Sequence, residues 1–134
     1  MSNTSVKVKL VLFNQDKDKV ALIKDRTVEL PVTNIWIAED YLSAAKRLAS
    51  DVTGLVTVTP KLVRHEAVGG VMFTGNCYIM TDCISNMGLA LPYYWVDVKD
   101  IIPRTNVNAS YCYMCGHIQE SLEVLDTPFS YTPE

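Results

Sequence analysis

The sequence predicts an α/β fold, a sandwich with a mixed β-sheet held between helical layers. Three observations lead there. Apolar and polar residues alternate as a hairpin at the start of the chain. A three-to-four-residue apolar repeat follows from about residue 41, and further strand-like runs separate it from a second helical stretch near the C-terminus. Elements in that order bury their apolar faces by stacking in layers.

Val6–Asn14 alternates Val6, Val8, Leu10 and Leu12 against Lys7, Lys9, Val11 and Phe13, so one side becomes more buried toward the strand's end. The polar run 15–19 is a turn, and 20–25 returns as the second strand of a hairpin. Residues 27–31 form a further short extended piece, and 32–40 an irregular segment. From Tyr41 to Thr53, Leu42, Ala45, Ala49 and Val52 recur at helical spacing, and Gly54 supplies the stop. Leu55–Val68 reads as strand, bent or broken at Pro60. Gly69–Gly70 is a turn, 71–84 a strand interrupted at Gly75, 85–92 a loop and 93–98 a strand. Residues 107–125 read as helix despite Gly116. The pattern predicts one domain over 1–126 and an extended tail over 127–134.

With 134 residues, 49% of them hydrophobic and 20% charged, the chain suits one packed core rather than disorder. No apolar run reaches the roughly 20 residues of a membrane span. The N-terminus has no basic-then-apolar leader, so the expected location is cytoplasmic. A net charge of −3 argues against broad nucleic-acid binding, which needs a basic face.

Cys112 and Cys115 stand in a C-x2-C spacing beside His117, the ligand types of a zinc site. Cys77 and Cys83 lie apart on one strand. The competing reading is that all four pack as small hydrophobes.

The stretch Glu29–Leu55 carries the chemistry. Glu39 and Arg47 are separated by seven residues, Ala49 follows, Gly54 and Leu55 close the stretch, and Pro31 precedes it. This pattern resembles the Nudix box, G-x5-E-x7-R-E-U-x-E-E-x-G-U with U aliphatic. The flanking hairpin and the strand with Trp95 are similar to the same family. Val32 and Thr33, however, replace the paired glycines, and Leu48 stands where the glutamate after the arginine belongs. Asp51 and Val52 occupy the closing acidic pair.

The resemblance implies a fold that cleaves a nucleoside diphosphate linked to another group, using Mg²⁺ or Mn²⁺ and an activated water. Such hard cations need several oxygen ligands. On a helix, positions 48, 51 and 52 share one side, and only Asp51 is acidic. Leu and Val neither ligate a metal nor polarise a water. β-branched Val32 and Thr33 also resist the positive φ that glycine permits.

The residual catalytic candidates are therefore Glu39, Arg47 and Asp51, with Asp51 and Glu39 as the metal ligands if Mg²⁺ or Mn²⁺ is retained. Each has a structural alternative. Glu39 can serve the helix N-terminus, Arg47 can hold Glu39 or Asp51, and Asp51 can be a solvated helix residue. Leu48 and Val52 extend apolar packing. Trp36 and Arg26 are the candidate ligand-binding residues, Trp36 being either a core anchor or a surface on which a base stacks.

Three functions follow. The first is a Nudix-fold protein with little or no hydrolysis and no cofactor, binding a nucleotide or dinucleotide or a protein partner. The second is a hydrolase whose metal site is rebuilt from Glu39, Asp51 and a downstream acid among Glu66, Asp82, Asp97 and Asp100. The third is a homodimeric or inhibitory interaction module using the Tyr-rich segments.

Overall fold

The computed structural model describes residues 5–24, 28–54, 59–69, 74–85, 88–101 and 109–126. Arg26, Leu55 and the 127–134 tail lie outside the described residues.

β1 (Ser5–Phe13) is the centre of the sheet. It runs parallel to β6 (Thr74–Cys83) in unbroken register from Ser5 opposite Gly75 to Phe13 opposite Cys83. β5 (Lys61–Gly69) pairs antiparallel with β6 on its far side, with a register shift between Leu62 and Arg64. On the other side, β1 turns into β2 (Lys19–Lys24), meeting it at Phe13 opposite Val20. Asn14 builds that turn: its Oδ1 accepts from the Asp18 and Lys19 amides at 3.1 and 2.9 Å. β2 then pairs with β3 (Val28–Glu29) and with β7 (Tyr93–Asp97).

One segment differs from expectation. Val32–Asn34 is a short strand, β4, antiparallel to Lys7–Lys9 of β1 rather than irregular. Its partner is distant in sequence and its length is under two full alternations, so no local period marks it. β5 begins at Lys61, directly after Pro60, the break that the sequence predicted, and 55–58 lie outside the described residues.

α1 (Tyr41–Thr53) starts at Asp40, whose carboxylate accepts from the Ser43 amide at 2.7 Å, and stops at Gly54 with φ of 80°. Its buried side is Ala44, Ala45, Leu48, Ala49 and Val52, packed on Val8, Leu10, Leu12, Ala21 and Met80. Three alanines let the helix lie close to the sheet. α2 (Ala109–Asp126) covers the opposite face through Met114 and Ile118, against Val11, Phe13, Val20, Leu22 and Ile79. The alternation of β1 thus feeds two cores, one per face. Among the described residues, no helix is long and apolar enough to cross a membrane.

Candidate functional site

Asn34 to Asp40 cross from the end of β4 to the start of α1, and Arg47 ties the crossing down. Its Nε donates to Glu39 Oε2 at 3.0 Å and its Nη2 to Glu39 Oε1 at 2.8 Å. Nη1 reaches Thr33 Oγ1 at 3.0 Å, and Nη2 also reaches the Asn34 carbonyl at 2.8 Å. The guanidinium carbon lies 3.6 Å from the centre of the Trp36 ring. Glu39 in turn accepts from the Trp36 amide at 2.9 Å, while the Glu39 amide donates to the Trp36 carbonyl at 3.1 Å. Held first by Arg47 and then by that amide, the Glu39 carboxyl is pulled down to about 2. Ala38 closes the turn at φ of 67°, a left-handed conformation that costs a non-glycine residue strain.

Trp36 is 61% exposed, so the core-anchor alternative fails. The neighbouring Ile37 is fully exposed at the tip of the turn. Beside them opens a cleft of about 620 Å³, lined among the described residues by Val6, Asn34, Trp36, Glu39, Tyr41 and Tyr78, and equally by Ile35, Ile37 and Asp40. Tyr78 stands between two near-parallel rings, Tyr41 at 4.5 Å and His65 at 4.3 Å between centroids. Sequence reasoning missed Tyr41, Tyr78, Asn34 and Asp40. Only Asp40 leaves a local signal, as a capping residue ahead of a helical repeat.

The three helix positions that a metal-binding box would fill part company. Leu48 is 2% exposed and Val52 fully buried, both in the core between α1 and the sheet, whereas Asp51 is exposed to solvent. Burial, aided by the Asp51 charge, pushes the Tyr93 phenol up, so Asp51 and Tyr93 of β7 lie within electrostatic reach. Val32 and Thr33 are extended and paired with β1, and neither has positive φ.

Three of the four downstream acids, Asp82, Asp97 and Glu66, are engaged elsewhere. Asp82, raised by burial, accepts from the Cys83 and Thr59 amides at 2.7 and 3.1 Å. Asp97 pairs with Lys19 at 2.6 Å, and Glu66 lies beside Arg64 at 3.4 Å. Among the described residues, no three His, Cys, Asp or Glu side chains gather as a metal ion would require. The described groups therefore do not fit Mg²⁺ or Mn²⁺: Glu39 is engaged by Arg47 and the Trp36 amide, and no three ligand-type side chains gather at Asp51 among the described residues. The Cys112 side chain lies outside the described residues, and the three described cysteines form no such set. Cys77 is buried in the α2-side core, Cys83 donates to the Asn14 carbonyl at 3.2 Å, and Cys115 to the Ile101 carbonyl at 3.3 Å.

No protein-family model matches this chain, and none of the curated proteins does. Solved structures do. The chain is similar to a Caenorhabditis elegans Ap4A hydrolase in a binary complex, with a TM-score of 0.68 at 13% identity over 90% of this chain and 97% of that one. It is similar to the NUDIX domain of Shewanella oneidensis NrtR complexed with ADP ribose, with a TM-score of 0.67 at 15% identity over 91% and 90%. It is also similar to a MutT protein from Methanosarcina mazei Go1, with a TM-score of 0.66 at 13% identity over 94% and 98%. At such identities the likeness is one of architecture: the chain has the Nudix fold.

Proposed function

We propose that this Nudix-fold protein binds a nucleotide-like ligand and does not hydrolyse it. The observation that carries the reading is the burial of Leu48 and Val52 in the α1-side core. Two of the three helix positions that would ligate a metal have become packing, and among the described residues no group of three metal-binding side chains forms around the third, Asp51. A lone exposed carboxylate leaves Mg²⁺ or Mn²⁺ mostly hydrated, which gives it no purchase on a phosphate oxygen or an attacking water.

What remains serves binding. The Glu39–Arg47 fork, a pair that the family resemblance would place in catalysis, holds an exposed tryptophan in one orientation beside a cleft. The cleft's volume of about 620 Å³ lies within the range of small-molecule sites. The NrtR domain complexed with ADP ribose supports the same reading, since it has this architecture and holds such a ligand.

The test is a turnover assay of the purified protein with Mg²⁺ or Mn²⁺ against ADP-ribose, a dinucleoside polyphosphate and the nucleoside triphosphates. The expected result is no release of phosphate or mononucleotide above the metal-only control. Turnover on the order of 1 s⁻¹ or faster with any of them overturns the reading.

A further inference from the structure

The cleft beside Trp36 is built for something other than a phosphate. Among its described lining residues there are two carboxylates, Glu39 and Asp40, and no Lys, Arg or His. Arg47, which lies against Trp36, already directs Nε, Nη1 and Nη2 at Glu39, Thr33 and the Asn34 carbonyl. A phosphate entering here would meet the Asp40 charge, and none of the described lining residues offers a guanidinium or ammonium to hold it.

Its surfaces suit a planar ring instead. One face of the Trp36 indole lies against Arg47 at 3.6 Å, and the residue is 61% exposed, so the other face is open. The turn from Trp36 to Glu39 is bonded at both ends and fixes that open face before any ligand arrives. A cation already sits on the inner face, so the ring's negative quadrupole is partly satisfied. The outer face consequently favours a neutral ring over a second cation. Tyr41 and Tyr78, stacked on one another with His65 on the far face of Tyr78, add aromatic edges to the lining. Two polar groups stand at the same cleft: Asn34, whose amide both donates and accepts, and Asp40, whose carboxylate has acceptor capacity beyond its helix cap. An amide reads the edge of a base, and a carboxylate accepts from the hydroxyl pair of a ribose.

We propose that this cleft binds an uncharged nucleoside, its base stacked on the outer face of Trp36, and discriminates against the corresponding phosphorylated form. The proposal rests on the binding reading above and narrows its ligand to the phosphate-free member of the class. Asn34 and Asp40 are assigned as the specificity residues, and the Arg47–Glu39 fork as the support that positions the indole.

Titration calorimetry without added metal tests it, using adenosine, guanosine, cytidine and uridine beside their 5′-diphosphates. At least one nucleoside is expected to bind, and its 5′-diphosphate about tenfold or more weakly. Trp36→Ala is expected to weaken the nucleoside about tenfold, the loss of one stacking surface, while Trp36→Phe keeps it within about threefold. Asp40→Asn keeps the helix cap and removes the charge, so the nucleoside-to-diphosphate ratio should fall toward one. It also provides a readout should Trp36→Ala fail to fold. Equal or tighter binding of the diphosphate, no binding by any nucleoside, or an unchanged ratio in Asp40→Asn overturns the inference. Such a result is separable from the turnover assay, where hydrolysis is what refutes non-catalytic binding.

Discussion

Arg47 and Glu39 meet as a two-point fork, both carboxylate oxygens receiving guanidinium hydrogens at 2.8 and 3.0 Å. The fork sets a pH dependence. Glu39 is held at about 2, below the ordinary glutamate value of 4.5. A depressed folded-state value stabilises the protein above the unfolded value, and that contribution drains away as pH falls from about 4.5 toward 2. Glu39→Gln removes the linkage. The melting-temperature gap between wild type and variant should be constant above about pH 5 and narrow steadily below it. Asp40 and Asp97 are lowered as well, so both proteins still lose stability in acid, and the gap is the informative quantity. A gap that stays constant down to pH 2 would show that the fork does not hold the carboxylate ionised.

Leu48 and Asp51, one helical turn apart on α1, should respond oppositely to truncation. Leu48→Ala removes a fully packed side chain and is expected to cost about 2–5 kcal/mol in denaturant unfolding. Asp51→Ala, on the exposed side, should stay within about 0.5 kcal/mol. Leu48→Glu would restore the acidic box residue in name, yet it buries a charge among Val8, Leu10 and Met80. The expected cost is at least about 3 kcal/mol, or failure to fold. A stable Leu48→Glu protein that binds Mg²⁺ would mean that position 48 faces a hydrated hollow rather than the core.

The layers of this fold were legible because their signals are local. β1 alternates over nine residues, and α1 carries an apolar repeat, a capping aspartate and a terminal glycine within fifteen. β4 was not legible, since three residues hold no period and Lys7–Lys9 is their only reason to be extended. The site divides the same way. Glu39 and Arg47 are seen from their spacing, whereas the cleft joins Val6, Trp36, Tyr41 and Tyr78 through the β1–β6 pairing and the docking of α1. No pattern along the chain records that juxtaposition. The exposure of Trp36 was equally hidden, because it depends on Arg47 taking one ring face and leaving the other to solvent.

Gly54 and Ala38 offer a paired test of backbone strain at the two ends of the box. Gly54 caps α1 at φ of 80° with no atom near the position a Cβ would take. Gly54→Ala should therefore cost about 1 kcal/mol through conformation alone. Ala38 already bears the same strain at φ of 67°. Ala38→Gly relieves it at the cost of unfolded-chain entropy, so the expected change runs from neutral to about 1 kcal/mol stabilising. Urea midpoints of the two variants should move in opposite directions or only Gly54→Ala should move. Equal destabilisation would contradict the left-handed assignment at residue 38.

Arg47→Lys separates charge from geometry in the clamp. The positive charge remains, but an ammonium is a point donor without a planar face. It cannot grip both Glu39 oxygens, reach Thr33 Oγ1 and the Asn34 carbonyl, and lie flat on Trp36 together. The turn should loosen locally while the fold persists. Amide hydrogen exchange reads this directly: the Trp36 and Glu39 amides, bonded to the Glu39 carboxylate and the Trp36 carbonyl, should exchange about tenfold faster or more. The Ser43 and Gly54 amides at the two caps of α1 depend on Asp40 and Ser50 instead, and should keep their protection as internal controls. Unchanged protection at Trp36 would place the stability of the turn in its own backbone bonds, and Arg47 would then be a passenger on the indole rather than its support.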